Sequence, residues 1–476
     1  MMRKLFGILV MALLAVPFGV EARNGHAEWG LVVKDLTGKR VVVNENGSVK
    51  MTPASTMKLF TTATALEILG PAYRIETGIW TDGKIDERGV LNGNLYIKGG
   101  LDPTIESSAI GNYGFFDSVA VALYGLGIKK VNGDIIADGN IIYGDEASPK
   151  WVLEDLATYY GVGCFGLSVY DNVQNVTVKA VDKNGKLSVK AQYPGAEINV
   201  INKLRIVGSS DAVVYTYSIP YGKEVLLEGT LGVGVTKYLR LAITNPNEVV
   251  AKTLLSKLGS RGIAVDGDAR ESRWTSYEGC NKLYAYYSPF LLNIIKEINF
   301  NSNNHYAQHI FRLLGTQVHT RNATLKDSEN VVKSYWKRKG INIDEMAIYD
   351  GNGLSPMDAL SPEVMVSMLE YMYHSKSAFS FMSSLPECGV EGTVKAIFRG
   401  KDFYARAKSG SMSGVQAYAG YVNYKNRIFA FCVIVNEFDE ERSKVKMMIE
   451  QRLINAIKGY EASLQGDRLD VNVSEE

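Results

Sequence analysis

Three short strings of residues in this chain place hydroxyl, amine and amide groups at spacings suited to nucleophilic catalysis. In the first, Ser55–Lys58, the hydroxyl and the amine stand three residues apart, so on a helix they share one face and the amine can take the hydroxyl proton. The same S-x-x-K spacing recurs at Ser334–Lys337 and Ser443–Lys446, where a solvated helix face is expected. What favours the first is its place in the opening turns of its predicted helix, where free N–H groups favour developing negative charge on Ser55.

The other two strings lie far along the chain. Ser302–Asn304 provides a hydroxyl for proton relay and a carboxamide for gripping a peptide, in a break between helices, although Ser328–Asn330 has the same S-x-N pattern. Lys408-Ser409-Gly410 lies at the end of a predicted strand and combines a cation, a hydroxyl and a glycine that permits close backbone approach to a ligand. Taken alone, each string is more typical of a cap, a turn or a hairpin than of a site.

Helices and strands must bring these strings together. A helix is predicted from Ala54 to Leu69, and Leu291–Gly315 reads as two helices broken around Asn299–Asn304. A small β module is predicted where Val176–Ala180 and Leu187–Ala191 alternate around an Asn-Gly turn. The other predicted strands are Trp29–Val33, Arg40–Val43, Ile75–Trp80, Gly93–Ile97, Phe403–Lys408, Val415–Val422 and Ile428–Val435, and the other predicted helices are Pro246–Leu258, Ser361–Tyr373 and Glu440–Ile457. The polar stretch from Gln465 is predicted to fray.

The composition is that of a folded, exported protein. The 476 residues are 46% hydrophobic and 22% charged, and 52 basic against 51 acidic residues leave a net charge of +1, which argues against nucleic acid as a partner. Arg3 and Lys4 precede the uncharged run Leu5–Val20, which predicts a signal peptide over residues 1–22 with cleavage after Ala22. No later run is long enough for a membrane span, so we expect no integral membrane segment in the mature protein.

Other chemical signals fail in context. Gly161–Gly166 matches G-x-G-x-x-G, but without a strand-to-helix crossover it does not indicate a dinucleotide site. His305 and His309 have helical spacing but lack the glutamate of a zinc protease, and no G-x-S-x-G string is available for a Ser-His-Asp triad. The four cysteines form no C-x-x-C pair and are expected as buried free thiols or with one bridge. We therefore expect no metal and no cofactor.

In combination, the three strings are specific. S-x-x-K on a helix, then S-x-N, then K-[ST]-G on a strand, in this order in an exported protein, is the signature set of penicillin-recognising serine enzymes. The longer segments Pro53–Lys58, Lys98–Thr104, Asp350–Ser355 and Leu385–Thr393 resemble the peptidase S13 family, which comprises class C penicillin-binding proteins of type 4. The resemblance covers nearly the whole mature chain. It includes the long segment between Lys58 and Ser302, in which family members carry inserted accessory domains.

The chain departs from the family pattern at three positions. The family usually has S-D-N followed by A-E, where this chain has Asn303 and Gln308, and usually has threonine where Ser409 stands. The hydroxyls and the amide that the chemistry needs are kept. We therefore expect these departures to tune the substrate rather than to abolish activity.

The resemblance implies an α/β (α+β) fold of the serine β-lactamase and penicillin-binding transpeptidase type. An antiparallel sheet would be flanked by helices, and two β-rich accessory domains would be inserted. The implied domains are a signal peptide (1–22), a discontinuous catalytic domain (23–84 and 273–460), accessory domain II (85–168 and 238–272), accessory domain III (169–237) and a polar C-terminal tail (461–476).

The resemblance also implies a serine-type D-alanyl-D-alanine carboxypeptidase or endopeptidase that acts on peptidoglycan stem peptides in the periplasm and binds β-lactam antibiotics covalently. Ser55 would be the nucleophile and Lys58 its base, with burial and the charge of Lys408 both lowering the Lys58 pKa. Ser302 would relay a proton to the leaving amine, and Asn304 would bind the peptide backbone. The remaining implied substrate-binding residues are Ser409, for the terminal carboxylate, Gly410, Ser411, whose N–H would join that of Ser55 in an oxyanion hole, and Asp155, for the free amine of the stem peptide.

Two other functions stay open at this point. A β-lactamase of the same superfamily would need a deacylating base, commonly a glutamate four residues before an asparagine, and no such string follows Ser302. A non-catalytic wall-binding or scaffold protein would be expected to lack Ser55, Lys58 or Lys408, and all three are present. The sequence does not decide between carboxypeptidase and endopeptidase action, nor whether the chain forms a homodimer.

Overall fold

The computed structural model describes residues 27–272, 276–319, 321–400 and 402–473, so the predicted signal peptide lies outside the described residues. The strands are β1 (Glu28–Asp35), β2 (Arg40–Glu45), β3 (Glu76–Thr81), β4 (Lys84–Ile85), β5 (Val90–Asn92), β6 (Leu95–Lys98), β7 (Lys130–Val131), β8 (Ile135–Asp138), β9 (Val173–Ala180), β10 (Leu187–Lys190), β11 (Asn199–Val207), β12 (Ala212–Tyr217), β13 (Glu224–Gly232), β14 (Thr236–Ala242), β15 (Ala264–Val265), β16 (Ala269–Ser272), β17 (Asn281–Tyr287), β18 (Tyr404–Met412), β19 (Val415–Tyr424) and β20 (Arg427–Asn436). The α-helices are α1 (Lys58–Ile68), α2 (Phe115–Gly125), α3 (Pro246–Ser260), α4 (Leu291–Asn301), α5 (Asn304–Gly315), α6 (Leu325–Arg338), α7 (Pro362–His374), α8 (Ala378–Ser383) and α9 (Arg442–Val473).

The main sheet, in the order β18-β19-β20-β1-β2, is antiparallel throughout and joins strands from both ends of the chain. Successive side chains point to opposite faces of each strand. Phe431 and Val433 of β20 pack in a core with α9, whereas Cys432 and Ile434 share a second core with α1, α5 and α7. The predicted antiparallel sheet flanked by helices is confirmed.

Helix α1 is buried along nearly its whole length, although it is rich in threonine. The hydroxyls of Thr62 and Thr64 each donate to the carbonyl four residues earlier, at 2.9 and 2.6 Å, so they need no water. The turn before it, Ala54–Met57, is a 3-10 turn rather than the predicted start of the α-helix. It is tightened because Thr56 bonds the Pro53 carbonyl through both its N–H and its hydroxyl. The serine of the S-x-x-K string thus lies in a tight turn at the N-terminus of α1.

The inserted region forms separate sheets with their own cores. The sheets β16-β8-β6-β3-β17 and β15-β7-β5-β4 pack with α2 and α3 around one core. The sheets β10-β9-β14 and β11-β13-β12 enclose a smaller core. The predicted hairpin around Asn184-Gly185 is confirmed, because it joins β9 and β10 in antiparallel register.

Strand pairing differs from the domain boundaries that the sequence suggests. β17 pairs with β3, and β3 pairs with β6, so β3 and β17 belong to a sheet of the inserted region. The resemblance instead implies that both strands, within residues 23–84 and 273–460, belong to the catalytic domain. β14 pairs with β9 along its whole length, so a boundary at residue 237 would cut this strand. We propose that the catalytic domain is interrupted close to residues 75 and 288 and that the β module spans residues 173–242.

Strand β18 and helix α9 both extend further toward the C-terminus than the sequence predicts. β18 continues to Met412, paired with β19, so the K-S-G string lies inside the strand rather than at its end. α9 continues to Val473, although the sequence predicts a frayed tail from Gln465, because no proline interrupts residues 442–473. Within the described residues, no helix combines the length and the apolar character that a membrane crossing requires.

An ion pair at the edge of the main sheet provides a test of this packing. Arg427 pairs at 2.7 Å with both Asp35, whose side chain is fully buried, and Glu461 of α9. Arg427→Met leaves these carboxylates without their cation, and we expect it to lower the free energy of unfolding by about 3 kcal/mol. Denaturant unfolding measures the change. Arg452→Met, which removes an exposed pair with Glu45, is the control and should cost about 1 kcal/mol or less. Equal losses for the two variants would contradict this account.

Candidate active site

Ser55 and Lys58 meet as the S-x-x-K spacing predicts. Lys58 Nζ lies 2.9 Å from Ser55 Oγ, 2.6 Å from Asn304 Oδ1 and 2.5 Å from the Asn352 carbonyl oxygen. A neutral amine has two N–H bonds and one lone pair. Because the amide and carbonyl oxygens can only accept, they take the two N–H bonds, and the lone pair is directed at the serine hydroxyl. This arrangement suits proton transfer from Ser55 to Lys58.

Burial favours the neutral form of this amine. Lys58 is fully buried, and burial lowers its pKa from 10.5 to about 7, against the opposing effect of Asp350 and Asp358. Burial and the neighbouring Asp350 charge raise the pKa of Asp358 well above its ordinary value, which favours its neutral form. The sequence leads us to expect that the charge of Lys408 lowers the pKa of Lys58, but Lys408 is not among the causes of that shift. Instead, burial first, and then the Lys58 charge, hold the pKa of Lys408 well below its usual range.

A rigid loop, Asp350–Ser355, directs the carbonyl that Lys58 contacts. The buried Asp350 carboxylate accepts three backbone N–H groups of its own loop at 2.6 to 3.0 Å and the indole N–H of Trp151 at 2.7 Å. These bonds fix the backbone at Asn352. The sequence marks this segment only by resemblance, because no local spacing connects it with a lysine on α1.

Two glycines let the backbone approach the Ser55 turn. An added Cβ at Gly410 would lie 2.5 Å from the Pro53 carbonyl oxygen and 3.1 Å from the Ser55 backbone nitrogen. At Gly353, where φ is +73°, an added Cβ would lie 1.9 Å from the Ala54 carbonyl oxygen. Both positions therefore require glycine, which accounts for the glycine of the K-S-G string in this chain.

The second lysine contacts the serine of the S-x-N string. Lys408 Nζ lies 2.9 Å from Ser302 Oγ and donates to the Ser409 carbonyl at 2.7 Å. Ser302 has a left-handed backbone (φ 59°, ψ 35°) at the end of α4, which turns the chain sharply into α5. The break between the two helices thus presents a hydroxyl to a buried amine, as the sequence predicts.

The outer part of β18 has two partners that sequence reasoning misses. Ser409 Oγ donates to Thr393 Oγ1 at 2.7 Å. Ser411 Oγ accepts from the Arg442 guanidinium, which also donates to the Met412 carbonyl at 2.7 Å. The signal for Thr393 is its place in the segment Leu385–Thr393, which resembles the family, whereas nothing in the sequence connects Arg442 with the strand.

The inserted region reaches the site through Tyr160. Its carbonyl accepts from Asn304 Nδ2 at 2.9 Å, so the Asn304 amide is held between Tyr160 and Lys58. The Tyr160 hydroxyl donates to Asp155 Oδ1 at 2.9 Å, and burial raises the pKa of this half-buried carboxyl. Asp155 is therefore linked to the catalytic cluster through Tyr160 and makes no hydrogen bond to the two lysines among the described contacts.

The unusual amides at positions 303 and 308 hold the loops of the site. Asn303 caps α5 by accepting the Tyr306 N–H at 3.1 Å, and its Nδ2 donates to Glu297 Oε1 at 3.2 Å. Gln308 is fully buried and accepts the Gly351 N–H at 2.9 Å. One amide therefore positions the S-x-N turn, and the other supports the loop that directs a carbonyl at Lys58.

The competing strings lie outside this cluster. Ser334–Lys337 and Ser328–Asn330 belong to α6, and Ser443–Lys446 lies in α9. His305 and His309 are buried in α5, and burial lowers the pKa of both. Over residues 27–272, 276–319, 321–400 and 402–473, no group of three or more His, Cys, Asp or Glu side chains could hold a metal, and the four cysteines are free.

The fold and the family match together define the class as that of the D-alanyl-D-alanine carboxypeptidases. The chain belongs to the D-Ala-D-Ala carboxypeptidase 3 (S13) family, whose model matches residues 21–455. It is 26% identical over 452 residues to the D-alanyl-D-alanine carboxypeptidase DacB of Haemophilus influenzae, covering 90% of this chain and 91% of the relative. It is also 26% identical over 426 residues to a D-alanyl-D-alanine carboxypeptidase of an Actinomadura species, covering 86% and 77%.

Solved structures support the fold. The crystal structure of penicillin binding protein 4 from Haemophilus influenzae superposes with a TM-score of 0.77 at 24% identity, covering 87% of this chain and 91% of that one. A predatory peptidoglycan endopeptidase from Bdellovibrio bacteriovorus superposes with a TM-score of 0.52 at 16% identity, covering 90% and 92%. The predicted fold class and the resemblance to the S13 family are confirmed.

The contact between Asn303 and Glu297 yields a pH-dependent prediction. Asn303→Asp keeps the helix cap but sets a second carboxylate beside Glu297, whose pKa burial already raises. Like charges raise the folded-state pKa of such a pair above the unfolded value, so stability present at low pH is lost as the pH rises. We expect the variant to be less stable than wild type by about 1–2 kcal/mol at about pH 8 and by much less at about pH 5.

Thermal unfolding at the two pH values measures this effect. The double variant Asn303→Asp with Glu297→Gln removes the repulsion and should recover most of the loss at the higher pH. A Tm difference that is the same at both pH values, or that the second substitution leaves unchanged, would contradict the account.

Proposed function

We propose that this protein is a serine-type D-alanyl-D-alanine carboxypeptidase, with endopeptidase activity on cross-linked stem peptides, and that Ser55 carries the acyl group. The observation that supports this most directly is the environment of Lys58. Two fixed acceptors take its N–H bonds, burial lowers its pKa to about 7, and its remaining direction faces Ser55 Oγ at 2.9 Å. Membership of the S13 family supplies the substrate class.

In the proposed reaction, the Ser55 oxygen attacks the carbonyl between the two terminal D-alanines while Lys58 accepts the hydroxyl proton. The tetrahedral intermediate collapses when the C–N bond breaks. Ser302, held by Lys408, gives its hydroxyl proton to the leaving amine and receives in return the proton that Lys58 took from Ser55, so that Lys58 and Ser302 regain their starting forms. Water then hydrolyses the acyl-enzyme and releases the shortened peptide. The backbone N–H groups of Ser55 and Ser411 stabilise the oxyanion.

The remaining contacts suit recognition of the peptide ends. Ser409 of β18 and Thr393 of the turn Gly392–Val394 form a hydroxyl pair beside the buried Lys408, where the terminal carboxylate binds. Gly410 lets this strand approach the Ser55 turn. Asn304 binds the peptide backbone, and Asp155 receives the free amine of the stem-peptide side chain. We also propose that the protein is exported to the periplasm. The family match supports this, because it begins at residue 21, next to the predicted cleavage site.

Covalent labelling tests the nucleophile. Wild-type protein incubated with benzylpenicillin should gain the mass of one antibiotic in an intact-mass spectrum, and Ser55→Ala should gain none, because only the serine can form the ester. The matched control is Ser334→Ala, in the S-x-x-K string on the exposed face of α6, which should be labelled like wild type. No adduct on folded wild type would favour a wall-binding protein without catalysis, and an adduct lost within seconds would favour a β-lactamase.

The pH dependence of labelling tests the base. Only neutral Lys58 can accept the proton, so the second-order rate of acylation should rise as the pH increases through about 7 and level off above it. Stopped-flow mixing with a chromogenic cephalosporin measures this rate. Lys58→Arg keeps the positive charge but supplies no base, so it should lower the rate by about 10²–10⁴-fold above about pH 7 and remove the rise of the rate with pH. A wild-type rate that is flat from about pH 5 to about pH 9 would contradict the assignment.

A further inference from the structure

A cavity of about 410 Å³ opens beside the S-x-N turn, on the side of the inserted region. Ser302 and Asn304 line it from the catalytic domain. Tyr159, Tyr160 and Arg240 line it from the inserted region. Its volume falls in the range of pockets that hold small ligands. Ser302 and Asn304 contact the two catalytic lysines, so the cavity adjoins the cluster around Ser55.

The fold fixes Arg240 at this place. It lies on β14, where Leu239 and Leu241 point into the small core of the β module, so Arg240 points outward. The segment before Tyr159 pairs with the same strand, because the Ala242 N–H donates to the Ala157 carbonyl at 3.0 Å. This pairing sets the guanidinium of Arg240 over the ring of Tyr159, 4.5 Å from its centroid.

The acidic side chains of the cavity wall have hydrogen-bond partners, whereas the side chain of its arginine has none among the described residues. The Asp171 carboxylate accepts the N–H and the hydroxyl of Ser108, and the Glu297 carboxylate accepts the side-chain amides of Asn301 and Asn303. Arg240, in contrast, has no carboxylate within salt-bridge distance, and its guanidinium donates no hydrogen bond, in the part of the chain that the structure describes. The cavity therefore presents one exposed, unpaired guanidinium, the group best suited to bind a carboxylate by two parallel bonds.

We propose that this cavity binds a carboxylate of the stem peptide beyond its D-alanyl-D-alanine end, and that Arg240 is the specificity-determining residue. The inference rests on the proposed function, since that function places the stem peptide at Ser55. Asn304 couples the two places, because its amide touches both Lys58 and the Tyr160 carbonyl. The β module thus contributes directly to substrate choice rather than serving only as a support.

The test compares peptides that differ in one group. A pentapeptide stem with free side-chain carboxylates is assayed beside the same peptide amidated at those carboxylates, by chromatography of the products. Wild type should prefer the free carboxylates, and Arg240→Gln should reduce this preference about fivefold through KM rather than kcat, because the contact is made equally in ground and transition states. Arg240→Lys should recover part of the preference.

Matched controls separate the cavity from general charge effects. Lys179→Gln removes an exposed cation from β9, the strand that pairs with β14, and should keep the wild-type preference. Two cross-linked dimers identify which stem peptide carries the bound carboxylate. One dimer is amidated only on the peptide that acylates Ser55, and the other only on the peptide that leaves. Slower hydrolysis by wild type of either singly amidated dimer, compared with the unamidated dimer, supports the proposal.

The proposal would be overturned if wild type hydrolysed both peptides equally, or if Arg240→Gln behaved like Lys179→Gln. Benzylpenicillin labelling of the same preparations keeps the two proposals apart. Labelled wild type without a carboxylate preference would reject the cavity site alone, whereas absence of labelling would reject the proposed function on which the site rests.

Discussion

The site depends on the burial of one amine. Lys58 has no exposed surface, and the loss of hydration lowers its pKa to about 7 in spite of two nearby carboxyl groups. Its neutral form is then oriented, because Asn304 and the Asn352 carbonyl take its N–H bonds and leave the lone pair for Ser55. A lysine with the same spacing on a solvated helix face would not lose its hydration and would have no reason to become neutral.

Three distant parts of the chain maintain this environment. α1 carries Lys58, the turn between α4 and α5 carries Asn304, and the loop at Asp350 carries the second acceptor. The inserted region closes the arrangement from outside, since Trp151 bonds Asp350 and the Tyr160 carbonyl bonds Asn304. Substitutions in the inserted region can therefore change the environment of Lys58 without altering any catalytic group.

Local patterns predict most of the framework and the chemical groups. The β1–β2 and β9–β10 hairpins, the strands of the main sheet and the broken helix at Ser302 follow from alternation and turn residues that act over a few positions. The partners of these groups could not be predicted in the same way. Thr393, Arg442 and Tyr160 reach the site through contacts between segments separated in sequence, and such contacts leave no periodic signal. The 3-10 turn at Ser55 and the length of α9 were missed because propensity does not set such ends.

The protonation state of Lys58 in the free enzyme can be measured directly. Protein with lysine labelled with carbon-13 at the ε position is titrated by NMR, and the Lys58→Arg variant identifies the signal of Lys58. The account predicts that this signal titrates with a midpoint of about 7. A midpoint near the ordinary value of 10.5 would mean that the amine is charged at neutral pH, and would contradict its role as the base that activates Ser55.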